Sequence, residues 1–258
     1  RNLFFVPVLF LLTFCNGLMH YGLLTNRFDM QQLGSYNAVW LITLLMVIVG
    51  GRVLPMFTAN GTMTPKVQPI VWLDRLALGS LWLIFILNIT LISSQLPAGV
   101  MGALYAFAAL TLAWRCGRWR IWVTWRVPLL WSLHLAYWMI PFGLALFALR
   151  EFGVTSITTS TALHALTAGA MGNMILAMLA RVSLGHSGRP LQPKPIMSAA
   201  FMLVILAALT RVLLLWLFPA MTMIGLIIAA GAWIVAYAIY VVVYLPILTT
   251  PRPDGRPG

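Results

Sequence analysis

The stretch AMTMIGLIIAAGAWIVAYAIYVVVYL, Ala220–Leu245, holds no charged side chain. Crossing the hydrocarbon core of a bilayer takes about 20 apolar residues in a helix. In lipid there is no water to satisfy backbone N–H and C=O groups, and an α-helix satisfies them within one segment. The stretch therefore predicts a transmembrane helix. Working outward, the same reading applies at about Leu3–Leu24, Ser35–Thr58, Ile70–Ser93, from beyond Pro97 to Trp114, Val127–Leu149, Ser160–Arg181 and Ile196–Leu217. The predicted fold class is all-α, a polytopic transmembrane helix bundle of about eight spans. It forms one domain over residues 1–248. The remainder, TTPRPDGRPG (Thr249–Gly258), is polar and rich in Pro and Gly, and reads as a loosely ordered cytoplasmic tail.

Composition agrees. Hydrophobic residues make up 62% of the chain and charged residues 8%, whereas soluble domains carry roughly 25% charged residues. So few charges cannot cover a surface in water, so the lipid bilayer is the expected solvent. Eleven Trp and seven Tyr suit the membrane–water interface. The net charge of +12 comes from 16 basic and 4 acidic residues. Such a balance in a soluble domain would suggest nucleic acid. Here the basic residues fall in connecting loops, so no nucleic-acid partner is expected.

The loop charges also set orientation. The connections after the second, fourth and sixth spans hold Lys66, the cluster Arg115, Arg118, Arg120 and Arg126, and the pair Arg189 and Lys194. The tail adds Arg252 and Arg256. The loops after the third and seventh spans are uncharged, and those after the first and fifth pair one Arg with one acid. This alternation predicts both termini on the cytoplasmic side of the membrane. The chain opens at Arg1 and enters an apolar run at once, without a signal-peptide pattern. It therefore reads as the C-terminal part of a longer protein, or a processed one. The expected protein partners are its missing N-terminal spans or another membrane subunit.

Ionisable groups inside a span are costly and mark candidate sites. His20 and His164 each lie about four residues from the outer end of their helices, roughly 6 Å deep at 1.5 Å per residue. Arg211 lies roughly 9 Å deep on the seventh span. These three form a predicted outer layer. His134 and Arg52 lie roughly 10 Å from the inner boundary and form a second layer. His134 moves to the midplane if its helix starts near Trp122. His186 sits in the inner loop, in SLGHSGRPL. Imidazole ligates haem iron and copper, and intramembrane Arg suits haem propionates. A hydrogen-bonded structural role, metal or haem ligation and proton relay all stay open for each His. Arg52 and Arg211 can also snorkel to the interface.

Other chemistry is poorly served. There is no GxSxG, HExxH or P-loop motif. Cys15 falls in the first apolar run and Cys116 in a basic loop, which does not suit a disulfide, and no CxxC occurs. The fourteen Met are scattered and read as core or lipid contacts. Asp74 sits beside Arg75 and is expected to pair locally. Coupled transporters use intramembrane carboxylates or broken helices. Carboxylates are nearly absent from these spans, which weakens a transporter reading; a structural subunit is the other alternative. Ala165, Gly169 and Gly172 share one helical face at small-residue spacing, which permits close helix contact.

Three stretches carry a resemblance: GGRVLPMFTANG (Gly50–Gly61), LHALTAGAMGNMILAMLARVSLGHSGRPL (Leu163–Leu191) and PILTTPRPDGRPG (Pro246–Gly258). They resemble the NnrS family of bacterial membrane proteins, and the resemblance extends along most of the chain. Family members have about twelve spans, so this chain looks like the last eight. The resemblance implies an inner-membrane protein acting in nitric oxide metabolism or the response to nitrosative stress, often beside denitrification genes. It also implies haem and copper as cofactors and nitric oxide as a possible ligand. His164 and His186 lie in the matching motif. His134, in LHLAYWMIPFGL, and His20, in NGLMHYGLL, look like family positions. His20, His134, His164 and His186 are thus the candidate metal ligands, with Arg52 and Arg211 as cofactor partners.

Overall fold

The structure is a computed structural model and describes residues 5–253 and 255. Eight helices in it are long and apolar enough to cross a membrane. They are α1 (Phe5–Leu24), α2 (Phe28–Thr62), α3 (Val71–Ile89), α4 (Ala98–Gly117), α5 (Pro128–Glu151), α6 (Thr159–His186), α7 (Pro195–Leu217) and α8 (Pro219–Thr249). Among the described residues there is no strand. The all-α bundle read from hydropathy is the fold observed.

Burial orders the bundle around α5. Of its apolar span 67% is buried, against 17% for α1 and for α8. Helix α5 touches α2, α4, α6 and α7, while α1 packs chiefly on α2, and α8 on α7 and α6. Side chains such as Phe10 on α1 and Val242 on α8 are left pointing outward, as lipid-facing positions require. An aromatic stack fills the core between α2, α4 and α5. Trp40 and Tyr105 stack at 5.7 Å, and Tyr105 and Phe147 at 5.2 Å.

Helix ends depart from the hydropathy limits. Helix α2 runs for 35 residues, roughly 50 Å at 1.5 Å per residue, well over the roughly 30 Å hydrocarbon core. Its first turns, FDMQQLG, are polar but compatible with a helix, so apolarity stops where the helix does not. Met63, at φ 55°, ends it in the left-handed region. Arg115 and Cys116, expected in a loop, are buried residues of α4's last turn. Thr249, assigned to the tail, is the last residue of α8. Beyond it Thr250 accepts a bond from Arg189, and Arg252 donates to the His186 carbonyl at 2.8 Å. Asp254 and residues 256–258 of that tail, like residues 1–4, lie outside the described residues.

Two spans contain wider turns. Ala165–Gly172 of α6 and Thr210–Leu214 of α7 are π-helical. The widened winding redistributes the small residues of α6. Gly143 of α5 packs where a Cβ would meet Ala165, and a Cβ on Gly169 would meet Met139 of α5. A Cβ on Gly172 would instead run into the Trp233 ring of α8. The expected single face is thus split between two neighbouring helices.

Candidate functional site

The basic end of the bundle is the end that carries the loops after α2, α4 and α6. Near it, α5 presents His134 and Tyr137, one turn apart and both buried. His134 Nε2 lies 2.8 Å from the Thr58 hydroxyl of α2, while its Nδ1 is buried without a partner. The Trp119 ring stands edge-on to it at 6.5 Å. Arg52, the predicted companion of His134, is an exposed residue of α2 and is not bonded to the His134 ring.

The arginine that enters this layer is Arg115, whose side chain is 7% exposed. Its Nε donates to Asp74 Oδ1 at 2.6 Å, and its Nη1 donates to the Val47 carbonyl and the Tyr137 hydroxyl, each at 2.9 Å. Trp119 lies under the guanidinium at 5.5 Å. Asp74 is therefore paired across the bundle rather than with its neighbour Arg75. Helix α2 admits the guanidinium only because residue 51 is glycine: a Cβ there would run into it. A Gly-Gly step facing a basic residue was the available signal for this network, but hydropathy placed Arg115 in a loop.

At the opposite end, the predicted outer layer is partly assembled. His164 and Arg211 line one cavity of about 240 Å³ between α6, α7 and α8. Ala168, Ala207, Ala229 and Trp233 complete its walls. His20 does not line it; it is exposed on the peripheral helix α1. His186 is exposed at the end of α6 and lines a groove with Arg252 instead.

Both π-helical segments abut the His164 cavity. One begins at the residue after His164, and the other contains Arg211. π-Bulges occur frequently at functional sites, because the wider turn re-aims side chains and frees backbone groups. His164 Nδ1 lies 2.7 Å from the Ser160 carbonyl and 3.3 Å from its hydroxyl. A carbonyl only accepts, so Nδ1 carries the proton. In the neutral ring, Nε2 then holds the lone pair, the arrangement found in metal-ligating imidazoles.

The fit to a metal is specific. Among the described residues no three His, Cys, Asp or Glu side chains come together as a metal-holding group. The four histidines of this chain do not form a joint copper site there. A haem needs only an axial imidazole and cations for its propionates, which His164 and Arg211 can supply. The cavity is smaller than the roughly 300–1,000 Å³ typical of ligand pockets.

Eight membrane-length helices packed on a largely apolar core define a multi-pass membrane protein. The chain belongs to the NnrS family: the description "NnrS protein" matches residues 1–252. No curated protein and no solved structure matches it.

Proposed function

We propose that this protein is a haem-holding component of the bacterial inner membrane that acts in the response to nitric oxide. Family membership supports the setting. The single observation supporting the site is the cavity shared by His164 and Arg211 beneath two π-helical segments. In this reading His164 Nε2 would hold the iron, and the Ser160 carbonyl fixes the tautomer of the ring. Arg211 would neutralise a propionate, and Trp233 would pack beside the ring. A haem held there would supply a redox-active iron able to bind nitric oxide. Nitric oxide is small and uncharged, so it reaches an alanine-walled cavity through the bilayer without a polar channel. Denitrifying metabolism is the context in which such a site is of use.

A carrier is the alternative reading. Alternating-access carriers bind substrate on discontinuous helices near the midplane. Here α6 and α7 widen into π turns yet continue as helices, which favours a fixed site over a moving one.

Absorption spectroscopy tests the proposal. Protein purified from haem-replete cells should show a Soret band, His164→Ala should lose it, and His20→Ala should keep it. Absence of the band from the wild-type protein would overturn the haem reading. A band that survives His164→Ala would remove His164 as ligand.

A further inference from the structure

A different cavity lies at the basic end, where the ends of α2 and α5 meet α6. It measures about 450 Å³ and is lined by Asn60, Arg126, Pro128, Arg181 and Gln192, with Leu191 as an apolar wall. No acidic residue lines it. The three described acidic residues are all engaged elsewhere: Asp29 with Arg27, Asp74 with Arg115, and Glu151 with Arg150. Neither Arg126 nor Arg181 has a carboxylate partner among the described residues.

Arg181 is half-buried and held in place without an anion. Its guanidinium carbon sits 3.7 Å from the centroid of the Phe57 ring. Cation–π contact orients a guanidinium but leaves its N–H edge able to donate. Arg126 stands two residues before the first residue of α5, a 24-residue helix whose N-terminal dipole also favours an anion. Two guanidinium groups and a helix N-terminus thus converge on one cavity whose charge the protein does not balance.

The cavity also lies at a recognisable depth. Trp122 and Trp125, in the segment leading to Arg126, are 59% and 62% exposed. Exposed Trp beside helix ends marks the headgroup level of a bilayer. Basic pockets between helices at this level bind anionic headgroups, and guanidinium matches phosphate oxygens two at a time.

We infer that the Arg126–Arg181 cavity binds a phosphate group. The headgroup of an anionic phospholipid and a soluble phosphate share that chemistry, and the depth of the site favours the lipid. This site stands apart from the His164 cavity, and its existence does not depend on haem.

Native mass spectrometry of the purified full chain, with phosphatidylglycerol, phosphatidylcholine or inorganic phosphate added separately, tests the site. The wild-type protein should retain phosphatidylglycerol over phosphatidylcholine. Arg126→Gln with Arg181→Gln should cut that retention on the order of 20-fold, at roughly fivefold per arginine near a membrane surface. Arg75→Gln removes one positive charge at the same end outside the cavity and should leave retention unchanged, whereas loss of either cavity arginine alone should cost roughly fivefold. Retention of inorganic phosphate, lost in the double variant, would support the site with a soluble source. Equal retention of phosphatidylcholine by the wild-type protein would overturn the inference without any variant. So would unchanged phosphatidylglycerol retention in the double variant, or an Arg75→Gln loss as large as the double variant's.

Discussion

Arg115 and His164 both sit on membrane-spanning helices, and their surroundings differ in kind. Around Arg115 the donor groups meet an acid, a carbonyl and a hydroxyl, with a Trp ring beneath. The helices there are regular α-helix, and glycine at position 51 makes room for the guanidinium. Around His164 one ring nitrogen is anchored, the residue lines a cavity, and two helices depart from α geometry beside it. A polar group whose partners all come from the protein holds a fold together. We propose that one that keeps a lone pair beside an irregular backbone and a cavity serves a ligand.

The largest effect should follow from breaking the closed network. Arg115→Ala strands Asp74 and the Val47 carbonyl, and loss of a buried ion pair costs about 3–5 kcal/mol. Thermal unfolding in detergent should show the loss, and a near-wild-type midpoint would contradict a structural role. Gly51→Ala should come next. Its Cβ forces the guanidinium aside, at a cost of about 1–3 kcal/mol for overpacking. Gly79→Ala is the matched control: nothing lies within 4 Å of its Cβ. It should be neutral or stabilising by up to about 1 kcal/mol.

Thr58→Val probes the histidine of the closed region. It removes the bond to His134 Nε2 and should cost about 1–2 kcal/mol, with no change in the absorption spectrum. A spectral change would move the haem assignment to the basic end. The smallest effect belongs to Ser160→Ala. The Ser160 carbonyl, at 2.7 Å, is the near partner of His164, and the hydroxyl at 3.3 Å is secondary. The variant should keep both its stability and its spectrum; a lost Soret band would show that the hydroxyl sets the tautomer.

Much of the bundle is legible in the sequence. Runs such as Ala220–Leu245 have only one physical solution in lipid, and each expected span exists. Boundaries were less legible. Hydropathy reports where the chain meets lipid, while a helix continues through polar turns, as at Phe28–Gly34, or folds its last turn inward, as at Arg115. Depth arithmetic placed His164 and Arg211 in one layer, and the cavity joins them. It also placed His20 there and Arg52 beside His134. Depth carries no information about azimuth: α1 lies at the periphery, and Arg52 is exposed on α2 while His134 is buried.

The sequence by itself determined that this protein is a helical membrane bundle with a basic end, because burial of backbone in lipid and loop charge depend on composition along the chain. Only the tertiary structure decided which polar groups meet. The Asp74–Arg115 pair, the Thr58–His134 bond, the π-helical turns beside His164 and the unbalanced Arg126–Arg181 cavity each depend on how separate helices rotate and approach. That geometry follows from packing across the bundle, to which one-dimensional spacing is blind.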